Sequence, residues 1–427
     1  MRTVESVQEH QGVLDDAPVQ SMPIHKRGSL GGGVVGVFDD DLNRSDIVVH
    51  TVRGKIIKKI PQALRRTRIS YRTEKNPFKR FHVRLKNDSQ FLRSSYQFAF
   101  ALLCVWIGIE FYLFMRWGQS NGAAQFVARP PGVEGFLPIS SLISLKYWIA
   151  TGIVNEVHPS GLSILLAIMA LSFFLKKAFC SWLCPIGTIS ESLWRLGERL
   201  FKNNRRIPRW VDIPLRSLKY ALLLFFSYAI WQMDVSALRA FIYSPYNKVA
   251  DIKMYLFFAE ITSFSLWTIV ILAALSIVIK NFWCRYLCPY GALLGIISLM
   301  SPFKITRIQK TCIDCQLCTK ACPANIKVHS ATRVWSDECM NCMECVEVCP
   351  VKNTLNVRFS ASTPPVPGWA MGTLVAGIFV AITGLAILSG HWHNTISREE
   401  YLKRFQQLDS PAYQHFRGQV PEYDSND

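Results

Sequence analysis

Five stretches of the chain are almost wholly apolar: 95–116, 158–178, 214–234, 262–280 and 368–390. Each reads as a helix roughly long enough to cross a hydrocarbon core of about 30 Å. The fourth is the weakest, because Ser and Thr interrupt it. The head of the chain, 1–93, is the opposite: polar and basic, with 18 Lys and Arg against 10 Asp and Glu. Its glycines at 31–33 and aspartates at 39–41 predict loop or disorder. No short apolar segment with a small-residue cleavage site follows the start, so no secretory signal is read there. Such a head suits a solvated tail or, more sharply, contact with anionic lipid headgroups.

Flanking charge orients the spans. The head is basic, and so is the segment after the second span, with Arg195, Arg199, Lys202, Arg205, Arg206, Arg209 and Arg216. Lys280, Arg285, Lys304, Arg307 and Lys310 follow the fourth span, whereas 117–157 and 235–261 are poorer in both residues. The N-terminus, the middle loop and the cysteine-rich segment are therefore expected in the cytoplasm, and an odd number of spans puts 391–427 outside. A repeat stands at an offset of 104: 171–187 matches 275–291, with Cys180 on Cys284, Cys184 on Cys288, Pro185 on Pro289 and Gly187 on Gly291. Each copy is a span ending in a cysteine pair, so the pattern is a tandem pair of two-helix units.

Composition sharpens this. Over 427 residues the hydrophobic share is 50% and the net charge +18. Oily and basic together point to a membrane protein with basic loops, not to a nucleic-acid binder. Twelve of the 13 cysteines sit in four tight clusters. Two of these are Cys-x-x-Cys-x-x-Cys-x-x-x-Cys-Pro runs: Cys312, Cys315, Cys318, Cys322, Pro323, and Cys339, Cys342, Cys345, Cys349, Pro350. This is the spacing of bacterial ferredoxin ligation of [4Fe–4S] clusters, in which the fourth cysteine reaches the other cube. Cluster one is expected on Cys312, Cys315, Cys318 and Cys349, and cluster two on Cys339, Cys342, Cys345 and Cys322. Structural zinc also takes four thiolates, but on two Cys-x-x-Cys knuckles.

The pairs Cys180/Cys184 and Cys284/Cys288, each followed by Pro, are expected at one depth. They fit a further metal centre, a thiol/disulfide redox pair or plain helix packing. Pro185 disfavours helix at Cys184, so the second span is expected to end there and a new interfacial helix to begin.

Taken together, these motifs resemble the membrane polyferredoxins of the NapH/NosR/CcoG type over roughly 95–360, and 129–140 also looks like that family. The resemblance implies electron transfer across or along a bacterial inner membrane, drawing on quinol. The large extracytoplasmic flavin domain of the NosR type has no counterpart in 1–94, and only 391–427 follows the last span where the CcoG type carries a β domain. A fifth span and the basic head also depart from the nitrate-reductase accessory type.

The expected fold is thus an α-helical membrane bundle of about five spans with an inserted α+β double-cubane ferredoxin-like domain. Its parts are a head (1–93), a four-helix region (94–305), the ferredoxin segment (306–360), a fifth span (368–390) and an extracytoplasmic tail (391–427). The expected function is a relay between the quinone pool and a redox-partner protein, with copper reduction for enzyme assembly and redox sensing as alternatives. Whether the chain is itself an enzyme stays open. Glu110, inside the first span, is expensive there and is a candidate proton acceptor for quinol. Glu134, Glu156, His158 and Asp234, near the outer boundary, are further candidates. His391 and His393 flank Trp392 past the last span and read as belt residues; Cys104 reads as apolar filler.

Overall fold

The computed structural model describes residues 76–201 and 207–413, together with the backbone of an antiparallel hairpin, Val48–Val52 with Lys55–Lys59. The expected loops at 31–33 and 39–41 lie outside the described residues.

Asn76 caps Pro77–Asn87, and Asp88 caps Ser89–Gln119 by accepting the Gln90 and Phe91 amides at 3.1 and 2.9 Å. The long helix has 31 residues, about 46 Å at 1.5 Å per residue. Arg209–Gln232, with 24 residues, and Gly368–Leu388, with 21, are also long and apolar enough to cross a membrane. Phe98, Leu102, Trp106, Leu224, Phe225, Trp267 and Leu388 turn outward. Large apolar side chains facing out in such number belong against lipid.

The other two apolar stretches differ from expectation. Pro159–Leu175 is a 17-residue helix, and Lys176 after it takes a left-handed φ of 61°. The helix therefore ends well before Cys184, and a separate turn, Ala178–Trp182, carries Cys180. Pro185 then opens Pro185–Phe201, as its fixed φ favours. Ser263–Val278 has 16 residues and is bent by 83° from Ala250–Ala259. After it, a π-helical turn, Trp283–Leu287, presents Cys284, and Cys288 caps Pro289–Ser298.

The ferredoxin segment is small: strands Lys304–Arg307 and Leu355–Arg358 pair antiparallel, with Lys304 opposite Arg358, and one-turn helices Leu317–Ala321 and Glu344–Glu347 follow the two ligand loops. One core joins it to the helices, with Leu171, Leu175, Trp182, Val346, Val357, Met371 and Val375 in the same cluster.

The segment sits at the N-terminal end of the long helix. There Ser89 donates to Glu347 at 2.7 Å and Gln90 to the Cys342 carbonyl at 2.9 Å. At the opposite end, Phe114 and Gly118 pack on Tyr401 and Phe405 of Arg398–Gln406.

Candidate functional site

Four cavities carry the chemistry. The first, in the ferredoxin segment, is lined by Cys312, Cys315, Cys318 and Cys349. The second is lined by Cys322, Cys339, Cys342 and Cys345. Both ligand loops use the same backbone device. The residues on either side of the second cysteine, Asp314 and Gln316 in one loop and Asn341 and Met343 in the other, have φ between 50° and 60°. Alternating left-handed residues turn successive N–H groups toward one point, a concavity that suits anionic sulfur.

The loops differ in setting. The 339–345 loop is held against the helices: Ser181 donates to the Met340 carbonyl at 2.6 Å, Trp182 to the Asn341 carbonyl at 3.3 Å, and Asn341 to the Leu175 carbonyl at 3.2 Å. The 312–318 loop faces outward, with Cys315 exposed.

The third cavity, about 240 Å³, is lined by Cys180, Cys184, Cys284 and Cys288, with Lys177 and Glu338 in its wall. It shares Pro323, Ala324 and Met340 with the second. On its other side it shares Gly135, Phe136, Ile168, Phe179 and Pro185 with the fourth. That fourth cavity is larger, about 590 Å³, and mostly apolar. Glu110, Cys104, Trp106 and Trp392 line it, and Trp106 Nε1 donates to Glu110 Oε1 at 3.0 Å.

Among the described residues, no three His, Cys, Asp or Glu side chains converge closely enough to hold a single metal ion. Two sets of four thiols, each from a Cys-x-x-Cys-x-x-Cys loop with a Cys-Pro cysteine from the other run, are the donor chemistry of iron–sulfur ligation. Burial pushes the Cys322 and Cys349 thiols up to about 11. They therefore ionise when metal displaces the proton.

Buried cations stand beside the thiols. Arg93 lines a small cavity with Cys342, and Lys177 lines the third cavity with Cys180 and Cys288. Lys177 lies 3.5 Å from Glu338, which Lys219 also contacts. Burial works against the Glu338 carboxylate, but Lys177 and Lys219 outweigh it and hold its pKa below the usual range. Sequence reading passed over these partners. Their signal was a charged residue at each end of an apolar run, where an unpaired charge is costly.

The candidate acids separate. Glu110 lines the fourth cavity. Glu134 and His158 are buried in a network beside it: Arg129 donates to Glu134 at 2.8 Å and also bonds Asp251, His158 Nδ1 lies 3.3 Å from Arg129, and Ser160 donates to Glu134 at 2.5 Å. This network anchors Pro131–Phe136, whose Pro131, Gly132, Gly135 and Phe136 wall the cavity. Glu134 and His158 themselves do not line it. Glu156 is exposed near Thr395, and Asp234 is an exposed N-cap accepting the Ala237 amide at 2.8 Å. His391 and His393 are exposed, and His391 meets Ser389 at 3.1 Å.

Comparison with known proteins agrees with this chemistry. A family model described as a 4Fe-4S binding domain matches twice, over 157–207 and 261–307, and one described as a 4Fe-4S dicluster domain matches 304–350. The chain is 43% identical over 316 residues, 72% of its length and 88% of the relative's, to YccM of Escherichia coli, a protein named for electron transport. It is 30% identical over 237 residues to the methylamine utilization ferredoxin-type protein MauN of Methylorubrum extorquens, covering 51% of this chain and 74% of MauN. To the regulatory protein NosR of Pseudomonas aeruginosa it is 28% identical over 214 residues, 48% of this chain and 28% of NosR. No solved structure matches it. With its cysteine cavities, its apolar helices and these relatives, the chain belongs to the 4Fe–4S ferredoxin-type electron-transport proteins of membranes, the family of YccM, MauN and NosR.

Proposed function

We propose that this protein relays electrons between the quinone pool and a redox-partner protein. The observation that carries the reading is the row of cavities. The apolar Glu110 cavity adjoins the four-cysteine cavity, which adjoins the cavity of Cys322, Cys339, Cys342 and Cys345. The outward-facing loop at 312–318 stands beyond it, suited to a partner.

In this reading Cys312, Cys315, Cys318 and Cys349 hold one [4Fe–4S] cluster, and Cys322, Cys339, Cys342 and Cys345 hold another. Bound there, such clusters supply one-electron transfer. Arg93 stands beside the thiols in the interior. A quinol gives up two electrons and two protons as it becomes a quinone. Glu110 accepts one proton at its carboxylate, oriented by Trp106, the second proton leaves to solvent, and the two electrons pass on one at a time; the apolar cavity of about 590 Å³ has room for the ring.

The same reading counts five spans as a tandem pair of two-helix units plus a fifth helix. It sets the membrane as a bacterial inner membrane, with the ferredoxin segment in the cytoplasm and the tail in the periplasm. In support, the segment and Arg398–Gln406 contact opposite ends of one 31-residue helix. A periplasm-dependent reporter fused after residue 427 is active and one fused at 205 is silent; the reverse pattern overturns the topology.

The function is tested by mixing anaerobic, detergent-purified protein with a quinol analogue and following the cluster spectrum. Bleaching by quinol, or reoxidation of the pre-reduced protein by quinone, is expected. Clusters that dithionite reduces but that exchange no electrons with either quinone form overturn the proposal.

A further inference from the structure

We propose that the outward face of the ferredoxin segment around Cys315, ringed by Lys310, Lys320, Lys327 and Lys352, docks an electron-carrying protein with an acidic surface. This rests on the electron-relay reading and gives the chemistry of its redox partner; it does not depend on quinol.

The segment sorts its charges between two faces. Between 304 and 358 the chain carries eight Lys and Arg and five Asp and Glu. Four of the five carboxylates turn toward the helices. Asp337 accepts the Tyr220 hydroxyl, and Glu338 pairs with Lys219 and, at 3.5 Å, with Lys177. Glu344 lies 3.2 Å from Arg195 and 3.4 Å from Arg93, and Glu347 accepts the Ser89 hydroxyl at 2.7 Å. The acids thus fasten the segment to the helices. The fifth, Asp314, is exposed and lies 3.4 Å from Arg307.

The basic residues divide differently. Lys304 and Arg358 are buried, and Arg307 and Arg333 are half-buried. Lys310, Lys320, Lys327 and Lys352 are exposed. Each stands one or two positions from a residue that lines the cavity of Cys312, Cys315, Cys318 and Cys349. Lys310 is close to Cys312, Lys320 to Cys318, Lys327 to His329 and Lys352 to Val351. Four exposed lysines and one carboxylate therefore surround this ligand set, whereas the 339–345 loop is held against the helices.

Between the lysines the surface is open. Cys315 and Gln316 are exposed, and Leu317 is 43% exposed. An exposed ligand lets a second redox centre come close, and an apolar side chain beside it gives a small contact. A rim of one sign steers a partner of the other sign and fixes its orientation. Contacts that must release after each electron are small and lean on charge more than on area. The net charge of +18 says nothing about this face. The sorting of acids inward and lysines outward does.

The test uses anaerobic, detergent-purified full-length protein whose clusters have been reduced with dithionite and freed of the excess. It is mixed with a soluble cytochrome b5 fragment, an acidic haem protein, and haem absorbance is followed by stopped flow. In each transfer one reduced cluster loses one electron and one ferric haem becomes ferrous. The second-order rate should fall about tenfold or more between about 10 mM and about 1 M salt, as the screening length drops from about 30 Å to about 3 Å. Lys310→Glu, Lys327→Glu and Lys352→Glu combined should cause a loss of the same order at low salt, and should speed the reduction of cytochrome c, a basic haem protein. Arg116→Glu, Arg398→Glu and Lys403→Glu combined change the net charge equally, on exposed residues at the opposite end of the long helix, and should leave the rate unaltered. Equal losses in the two triple variants, or none in the first, overturn the proposal. Iron content and EPR show whether the first variant keeps its clusters. If it does not, the three single variants replace it: a loss of roughly twofold in each is expected, and no loss in any overturns the proposal. A protein that passes this test but exchanges no electrons with quinol or quinone keeps the docking face and loses the quinone reading; one that reacts with quinol but ignores these lysines does the reverse.

Discussion

The guanidinium of Arg93 grips the Glu191 carboxylate through two parallel bonds of 2.6 Å, Nη1 to Oε2 and Nη2 to Oε1. The same side chain donates to the Ser181 carbonyl at 3.1 Å and lies 3.4 Å from Glu344 of the ferredoxin segment. One buried arginine thus joins the long helix Ser89–Gln119, the Cys180 turn, the helix after Pro185 and the second ligand loop. Planar, two-point pairing of this kind fixes orientation as well as charge.

Arg93→Ala should therefore loosen the ferredoxin segment from the helices. Breaking a buried pair costs about 3–5 kcal/mol. The low end applies here, because Arg195 also meets Glu191, at 2.6 Å. Arg93→Lys keeps the charge but not the fork and should recover only part of the loss. Thermal unfolding of purified protein, followed through cluster absorbance, measures this; an unshifted midpoint in Arg93→Ala would show that the clamp carries no stability.

Cys349 lines the cavity of Cys312, Cys315 and Cys318, and Cys322 that of Cys339, Cys342 and Cys345, so in the proposed relay the ligand sets cross and single changes have specific effects. Cys322→Ser should weaken the cluster on Cys339, Cys342 and Cys345, and Cys349→Ser the one on Cys312, Cys315 and Cys318. Redox-titrated EPR distinguishes the two signals. Loss of the same signal in both variants would mean that each run serves its own cluster.

Glu110→Gln keeps the shape of the apolar cavity and removes the proposed proton acceptor. Quinol-driven cluster reduction should slow by roughly 10² or more, while dithionite reduction is unchanged. Trp106→Phe removes the 3.0 Å bond to Glu110 and should give a smaller loss. Stopped-flow absorbance reads both. Equal rates for Glu110→Gln and the unaltered protein would exclude Glu110 from the proton path.

The Arg129 network predicts an acid dependence. Burial pushes the Glu134 carboxyl up, but Arg129, His158 and Ser160 outweigh it and hold the group at about 2, below its ordinary 4.5. A depressed carboxylate contributes stability that is fully present above 4.5 and is lost as the pH falls through about 2. The stability difference between the unaltered protein and Glu134→Gln should thus shrink as the pH falls below 4.5. Its plateau should be a few kcal/mol, since Asp251 still pairs with Arg129. Unfolding midpoints from pH 4.5 downward check it, and a difference that stays constant as the pH falls toward 2 would contradict the assignment to Glu134.

Much of this molecule is written locally. Apolar runs become helices because burying or greasing every face of a segment needs no knowledge of its neighbours: 95–116 lies within a helix of 31 residues, and all but the last two residues of 368–390 form one of 21. Pro185 and Pro289 open helices because a fixed φ and a missing donor suit a first turn wherever it lies. The ferredoxin cysteines announce their chemistry because short loops set how thiolates can surround a core. What hydropathy could not convey is where an apolar run stops: Lys176 turns left-handed and ends its helix short of Cys184.

Pairings between distant segments are another matter. Arg129 meets Asp251 across 122 positions, and Lys219 meets Glu338 across 119. Nothing near either residue specifies its partner, since a buried charge demands only an opposite one, and packing chooses which arrives. The same holds for the cavities. Sequence placed Glu110 in an apolar span and four cysteines at span ends, but only the packing of Pro159–Leu175 and Pro131–Phe136 between them set Glu110 and the four thiols on adjoining cavities with Phe179 and Pro185 in the common wall. A cavity is the space that several elements leave together, so no single element's sequence encodes it.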